Sequence, residues 1–106
     1  MSQIEHLAFR ALADPTRREI LMLLAHQDMT IAQVAENFDM TRAAVKKHLT
    51  ILSDGGLIET RVDGRTRVNS LQKQGVGRVR DWFGYFDQFW DDRLSSLKSA
   101  IEKDKQ

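Results

Sequence analysis

Cysteine is absent from all 106 residues, which excludes disulfides, thiolate metal sites, cysteine nucleophiles and thiol redox switches. Proline occurs once, as Pro15, and no proline-rich or low-complexity linker divides the chain. The longest apolar run, ILMLLA at 20–25, falls far short of the roughly 20 residues a membrane-spanning helix needs. No signal-peptide pattern opens the sequence, because IEHLAFRALA is amphipathic and carries Glu5, His6 and Arg10. These absences lead to the expectation of a single cytoplasmic domain spanning 1–106 with no membrane partner. Net charge is scarce too, at +1, so the total names no partner.

The distribution of charge says more. Between Thr41 and Arg67 stand six cations (Arg42, Lys46, Lys47, Arg61, Arg65, Arg67) and three anions (Asp54, Glu59, Asp63), a local balance of +3. From Asp81 onward six anions face four cations, a balance of −2. A basic middle and a mildly acidic tail are expected when one surface meets a polyanion and another does not.

Helix signals come first along the chain. Ile4, Leu7, Ala8, Ala11 and Leu12 form an apolar stripe at helical spacing. Asp14 is placed to cap a second helix, with Pro15 in its first turn, where no amide hydrogen is needed. Thr30 and Gln33 have the spacing of a capping box for a short helix with Ile31, Val34, Ala35 and Phe38 on one face. Thr41 can cap the next helix, whose Val45, Leu49 and Leu52 should face the core. Gly55 or Gly56 is suited to end it in a left-handed conformation. LIETRV and RTRVNSL then read as strands around Asp63-Gly64, a hairpin signal.

Gly75 and Gly77 weaken helix formation locally, and beyond them a helical pattern runs to about residue 103. Phe83, Phe86, Trp90, Leu94, Leu97 and Ile101 step by three or four in one continuous stripe. The expected order is three helices, a tight turn, a helix, a basic hairpin and a long helix. Two short helices joined by about three residues and followed by a hairpin describe a winged helix-turn-helix. The fold class is therefore mainly α with a small β-hairpin. Its recognition helix is expected at about 41–54, its wing at about 57–71 and a terminal dimerisation helix at about 76–103.

In a helix-turn-helix the second helix enters the major groove by its N-terminal part. Thr41, Arg42, Ala43, Lys46 and Lys47 are the exposed candidates, with Arg42 able to read guanine by two hydrogen bonds. Arg61, Arg65 and Arg67 of the hairpin are candidates for phosphate or minor-groove contact, and strand alternation should point Arg65 and Arg67 together.

FRALADPTRREILMLLA and TIAQVAENFDMTRAAVKKHLTILSDGGLIETRVDGRTRVNSL resemble the ArsR/SmtB family of small winged-helix repressors. Their most specific pieces are ALADPTRREIL, VKKHLTIL, GGLIE and DGRTRV. The resemblance implies a homodimer on palindromic double-stranded operator DNA, regulating transcription through the residues just named. Asp39 stands where such turns often carry glycine.

Six of the eight aromatic residues lie within positions 82–90, too apolar a helix to be covered by one small domain. Part of this stripe is expected in the core, and Phe9, Phe83, Phe86, Trp90, Leu94 and Leu97 are expected to pair with a symmetry mate. Many relatives of this kind release DNA on binding metal through Cys, His and carboxylates. Here thiols are lacking, no histidine lies beyond His48, and His6 and His26 have no companions at ligand spacing. The aromatic tail resembles a non-metal-sensing branch of the family; no metal and no cofactor is expected, and the effector is not identified. No grouping for nucleophilic or acid–base catalysis stands out, so no enzyme is expected. The rival readings are a winged helix used only for protein contacts and a ligand- or metal-responsive sensor.

Overall fold

The computed structural model describes residues 2–104; Met1, Lys105 and Gln106, at the ends of the expected 1–106 domain, lie outside the described residues. Helix α1 (Gln3–Leu12) begins at Ser2, whose hydroxyl accepts from the Glu5 amide, and α2 (Pro15–His26) begins at Asp14, whose carboxylate accepts from the Arg17 amide. Pro15 occupies the first helical turn, as its missing amide hydrogen and fixed φ favour. Strand β1 (Met29–Thr30) leads directly into α3 (Ile31–Ala35). There Thr30 and Gln33 form a reciprocal capping box, with contacts of 3.2 and 2.8 Å. Helix α4 (Arg42–Asp54) starts at Thr41, which accepts from the Ala44 amide at 3.1 Å, and gives way at Gly55–Gly56, where Gly56 has φ of 73°.

Strands β2 (Ile58–Asp63) and β3 (Thr66–Leu71) form the wing, and β1 adds a third strand in the antiparallel order β1-β3-β2. The turn is Gly64-Arg65, one residue later than Asp63-Gly64 would place it: Asp63 pairs with Thr66. Of the two loop residues Gly64 has the positive φ, at 64°, the requirement of a two-residue hairpin loop entered by glycine. The Thr66 hydroxyl closes the turn on the Asp63 carbonyl at 2.8 Å.

The core lies where α1, α2, α3, α4 and the sheet meet, and includes Ala8, Ala11, Ile20, Leu24, Val34, Val45, Leu52 and Leu57. Val45, Leu49 and Leu52 do line the inner face of α4. One polar side chain is buried among them. Asn69 of β3 donates to the Met29 carbonyl of β1 at 3.2 Å and accepts from the Thr60 hydroxyl of β2 at 2.9 Å. It ties all three strands. Asn69→Leu leaves the buried Met29 carbonyl without this donor and should cost about 1–3 kcal/mol. A lower urea midpoint at unchanged slope is the expected readout.

Three details depart from the sequence expectations. Helix α3 ends at Ala35, and the amides of Asn37 and Phe38 reach back only three residues, so six residues instead of about three precede α4. Helix α5 (Lys73–Gly84) starts earlier than about residue 76 and contains Gly75 and Gly77. The long terminal helix is divided: α6 (Asp87–Asp104) follows a turn at Tyr85–Phe86, just past Gly84, with Phe86 and Phe89 amides bonded three residues back. Glycine at the end of a helix lowers the cost of such a break. Asp39 needs no left-handed backbone, since among the described residues positive φ occurs only at glycine.

Candidate nucleic-acid interface

Side chains four apart on a helix share a face, and on α4 Arg42, Lys46 and Thr50 look together across an open groove toward the wing. The far wall is formed by Thr60, Arg65 and Arg67, and the floor reaches the N-terminal end of α3. Four cations thus converge (Arg42, Lys46, Arg65, Arg67), with the single carboxylate of Asp54 at one end. All four are exposed and none makes an ion pair among the described residues.

Strand register divides the three wing arginines. Thr60 stands opposite Asn69 and Val62 opposite Arg67, so these share the groove face. Arg61 stands opposite Val68 on the other face, where its Nη1 lies 2.9 Å from the Asp28 Oδ2 just before β1. This pair is exposed on both sides and contributes at most about 1 kcal/mol, but it holds Arg61 away from the groove. Arg65, in the turn, and Arg67, in β3, do line the same groove.

Thr41, Ala43 and Lys47 are exposed in the first two turns of α4 beside the groove wall rather than in it. The Thr41 oxygen is already engaged as the helix cap. His6 and His26 are exposed, while His48 is half-buried against Arg17 and Asp14 at the N-terminal end of α2. The Arg17 amide, more than any other neighbour, holds the Asp14 carboxyl below its ordinary pKa; burial opposes this, and the charges of Arg17 and His48 add to it. The sign is that of a group favoured as its anion in the fold. Its contribution to stability is present above the unfolded pKa and is lost as pH falls through the folded one.

The second surface is apolar. Phe9 of α1 is half-buried within the chain, its ring 5.0 Å from Trp82 and 6.1 Å from Phe83 in edge-to-face geometry. Phe83, Phe86, Trp90, Leu94 and Leu97 are exposed, as is every residue from Asp81 to Lys103. The expectation that part of this stripe is core is therefore corrected: beyond the Tyr85–Phe86 turn α6 leaves the body, its Phe89 meeting the Tyr85 and Phe86 rings, and its residues are exposed as far as Lys103. No helix among the described residues is long and apolar enough to cross a membrane.

Sequence reasoning passed over three residues that shape this arrangement. The sequence reading assigns Asn69 and Arg17 no role of their own and takes Gly75 as a helix weakener. The signals available were an asparagine inside a strand and two adjacent arginines, Arg17 and Arg18, beginning three residues past the Asp14 cap.

The family model described as bacterial regulatory protein, arsR family, matches residues 14–60, from the cap of α2 to the first three residues of β2. The transcriptional repressor SdpR of Bacillus subtilis is 40% identical over 86 residues, covering 81% of this chain and 96% of that protein. A crystal structure of an ArsR family transcriptional regulator, RHA00566, superposes with a TM-score of 0.76 at 34% identity, over 84% of this chain and 98% of the other. A solution structure of the homodimeric winged helix-turn-helix DNA-binding domain of Mb0332 from Mycobacterium bovis is similar at a TM-score of 0.65 and 25% identity, over 78% and 77% of the two chains. With its three-stranded wing behind a helix-turn-helix, the chain belongs to the arsR family of bacterial regulatory proteins.

Proposed function

We propose that this protein is a homodimeric cytoplasmic repressor that binds double-stranded operator DNA through α4 and the wing. The observation that carries the reading is the groove in which Arg42, Lys46, Arg65 and Arg67 converge without ion-pair partners. Polyphosphate is the ligand such a surface suits, since each neutralised phosphate releases condensed counterions. Arg42, at the start of α4, is assigned to base edges, with Thr41, Ala43 and Lys47 beside it. Arg65 and Arg67 are assigned to phosphates or the adjacent minor groove. Arg61 is assigned a weaker part, because Asp28 already neutralises it.

The relatives support the same reading: one is named a repressor and another a homodimeric DNA-binding domain. The exposed apolar face of α5 and α6 supports the dimer, for a monomer seldom leaves so many large apolar side chains contiguous in water. Phe9, Phe83, Phe86, Trp90, Leu94 and Leu97 are its assigned residues. Two-fold pairing would set two copies of α4 about 34 Å apart, one turn of DNA. The protein acts by binding alone, without catalysis and without a thiolate metal switch.

The test is a gel shift with genomic fragments captured by the purified protein, at rising salt. If all groove cations of a dimer displace counterions, log K should fall with a slope of about −7 against log salt. Salt-independent binding, or none to any duplex at low salt, would overturn the proposal. Trp90→Asp places a carboxylate on each side of the assigned interface, where desolvation costs several kcal/mol. It should sediment as a monomer; an undisturbed dimer would move the interface elsewhere.

A further inference from the structure

The Arg17 guanidinium sits where three helices meet. Its Nε donates to the Ala11 carbonyl at 2.7 Å and its Nη2 to the Arg10 carbonyl at 3.2 Å, both in the last turn of α1. Its Nη1 lies 3.4 Å from Nδ1 of His48 in α4. Its own amide is held by Asp14 Oδ2 at 3.0 Å, and that same oxygen is 3.9 Å from His48 Nδ1. None of these three side chains lines the cationic groove. The cluster instead joins α4 to the helix whose Phe9 packs on Trp82 and Phe83 of the aromatic face.

A guanidinium carries donors only, so the Arg17–His48 contact requires Nδ1 to accept, with the neutral ring's proton on Nε2. An imidazolium has donors at both nitrogens. It would oppose Arg17 and be drawn to Asp14, in competition with the Arg17 amide that Asp14 caps. Among the described residues, the charged groups within 4 Å of the ring nitrogens are Asp14 and Arg17 of α2; Arg17 is in turn bound to the Arg10 and Ala11 carbonyls of α1, and Lys47 precedes the ring on α4.

We propose that Arg17 is a positioning residue for DNA binding, fixing α4 against α1 through neutral His48, and that protonating His48 releases this hold and weakens operator binding. The inference rests on the DNA-binding reading above. Its sign sets it apart from ordinary charge attraction: an imidazolium beside a polyanion strengthens binding as pH falls, whereas loss of the Arg17 contact weakens it.

The experiment uses the full chain as wild type, His48→Asn, Arg17→Lys and Arg17→Met, each checked for folding by circular dichroism and for dimer by sedimentation. Affinity for a captured genomic fragment is followed from about pH 8 to about pH 5.5 at fixed ionic strength. Asparagine keeps an acceptor near the Nδ1 position at every pH, so acidification should weaken wild-type binding about five- to tenfold more than His48→Asn binding. Arg17→Met should bind more weakly with a flat profile, and Arg17→Lys should recover part of both affinity and pH dependence. Identical profiles for wild type and His48→Asn, or binding that tightens through His48, would overturn the inference. Imidazole nitrogen resonances of the free protein, assigned by their loss in His48→Asn, give a readout without DNA. At about pH 8, Nδ1 should be the unprotonated nitrogen; a proton found there refutes the Arg17 contact. A wild type that binds no duplex, with Nδ1 still accepting, would instead overturn the DNA-binding reading and with it any positioning role in DNA recognition.

Discussion

Gly75→Ala should destabilise the fold by roughly 3 kcal/mol or more, although alanine is the better helix former. Two effects of opposite sign meet at this position. Removing a glycine from a helix gains about 0.5–1 kcal/mol in chain entropy. A Cβ on Gly75, however, would stand 1.7 Å from the Gly56 carbonyl oxygen and 2.7 Å from its carbon. These are backbone atoms and have no rotamer by which to escape. Overpacking a core costs about 1–3 kcal/mol when side chains can adjust, so the contact term wins here. Gly56 is itself held by the turn that ends α4, and Gly55 lies against the α1 backbone, its own added Cβ 2.9 Å from the Leu7 carbonyl. The consequence reaches past stability, since α5 carries Trp82 and Phe83 onto Phe9 and leads into α6. Lower urea midpoint and weakened self-association are expected together. Gly77→Ala is the control: its Cβ meets only the Arg80 Nη2, at 3.7 Å, and should gain about 0.5–1 kcal/mol. If both substitutions raise the midpoint, α5 does not dock on the Gly56 carbonyl.

Replacing Arg42 and Arg67 together with alanine should weaken operator binding about a thousandfold, taking roughly 1 kcal/mol for each of four contacts in a dimer. The salt slope should flatten by about 2, near 0.9 for each phosphate relinquished by the two copies of Arg67. The single variants should separate in kind. Arg42→Ala should lose discrimination between fragments as well as affinity, while Arg67→Ala should weaken all fragments more evenly. Arg61→Ala should have the smallest effect of the wing arginines, because the side chain is turned to Asp28. Gel shifts over several salt concentrations check all three. If Arg61→Ala matches Arg67→Ala in slope, the division of the wing into two faces has no bearing on DNA.

What could be read from the chain and what could not follows the range of the interactions involved. Asp14, Thr30 and Thr41 each cap a helix by bonding an amide three residues on, a contact the local sequence contains whole. The apolar spacing of Val45, Leu49 and Leu52 likewise determines which side of α4 is buried. The wing turn was legible to within one residue, because glycine at position 64 supplies the positive φ and only the register of pairing decides its neighbour. Asn69 was not legible, since its partners lie 9 and 40 residues away and exist only once three strands are aligned. Arg61 was misleading in the same way: the carboxylate that takes it is 33 residues earlier. Strand β1 escaped notice because two residues carry no periodicity. The division of α5 from α6 escaped it because the apolar stripe continues unbroken across Tyr85 and Phe86, and periodicity records spacing without recording a bend.

The exposure of α6 from Asp87 to Lys103 bears on how the protein should behave as its abundance changes. A helix of 18 residues standing free in water is only marginally ordered, because most helical stability in proteins comes from packing. If a second copy supplies that packing, dilution removes it, and the midpoint of thermal unfolding becomes a function of protein concentration. Dilute solutions should then melt earlier and lose the tail first to proteases, so that scarcity itself shortens the lifetime of the molecule.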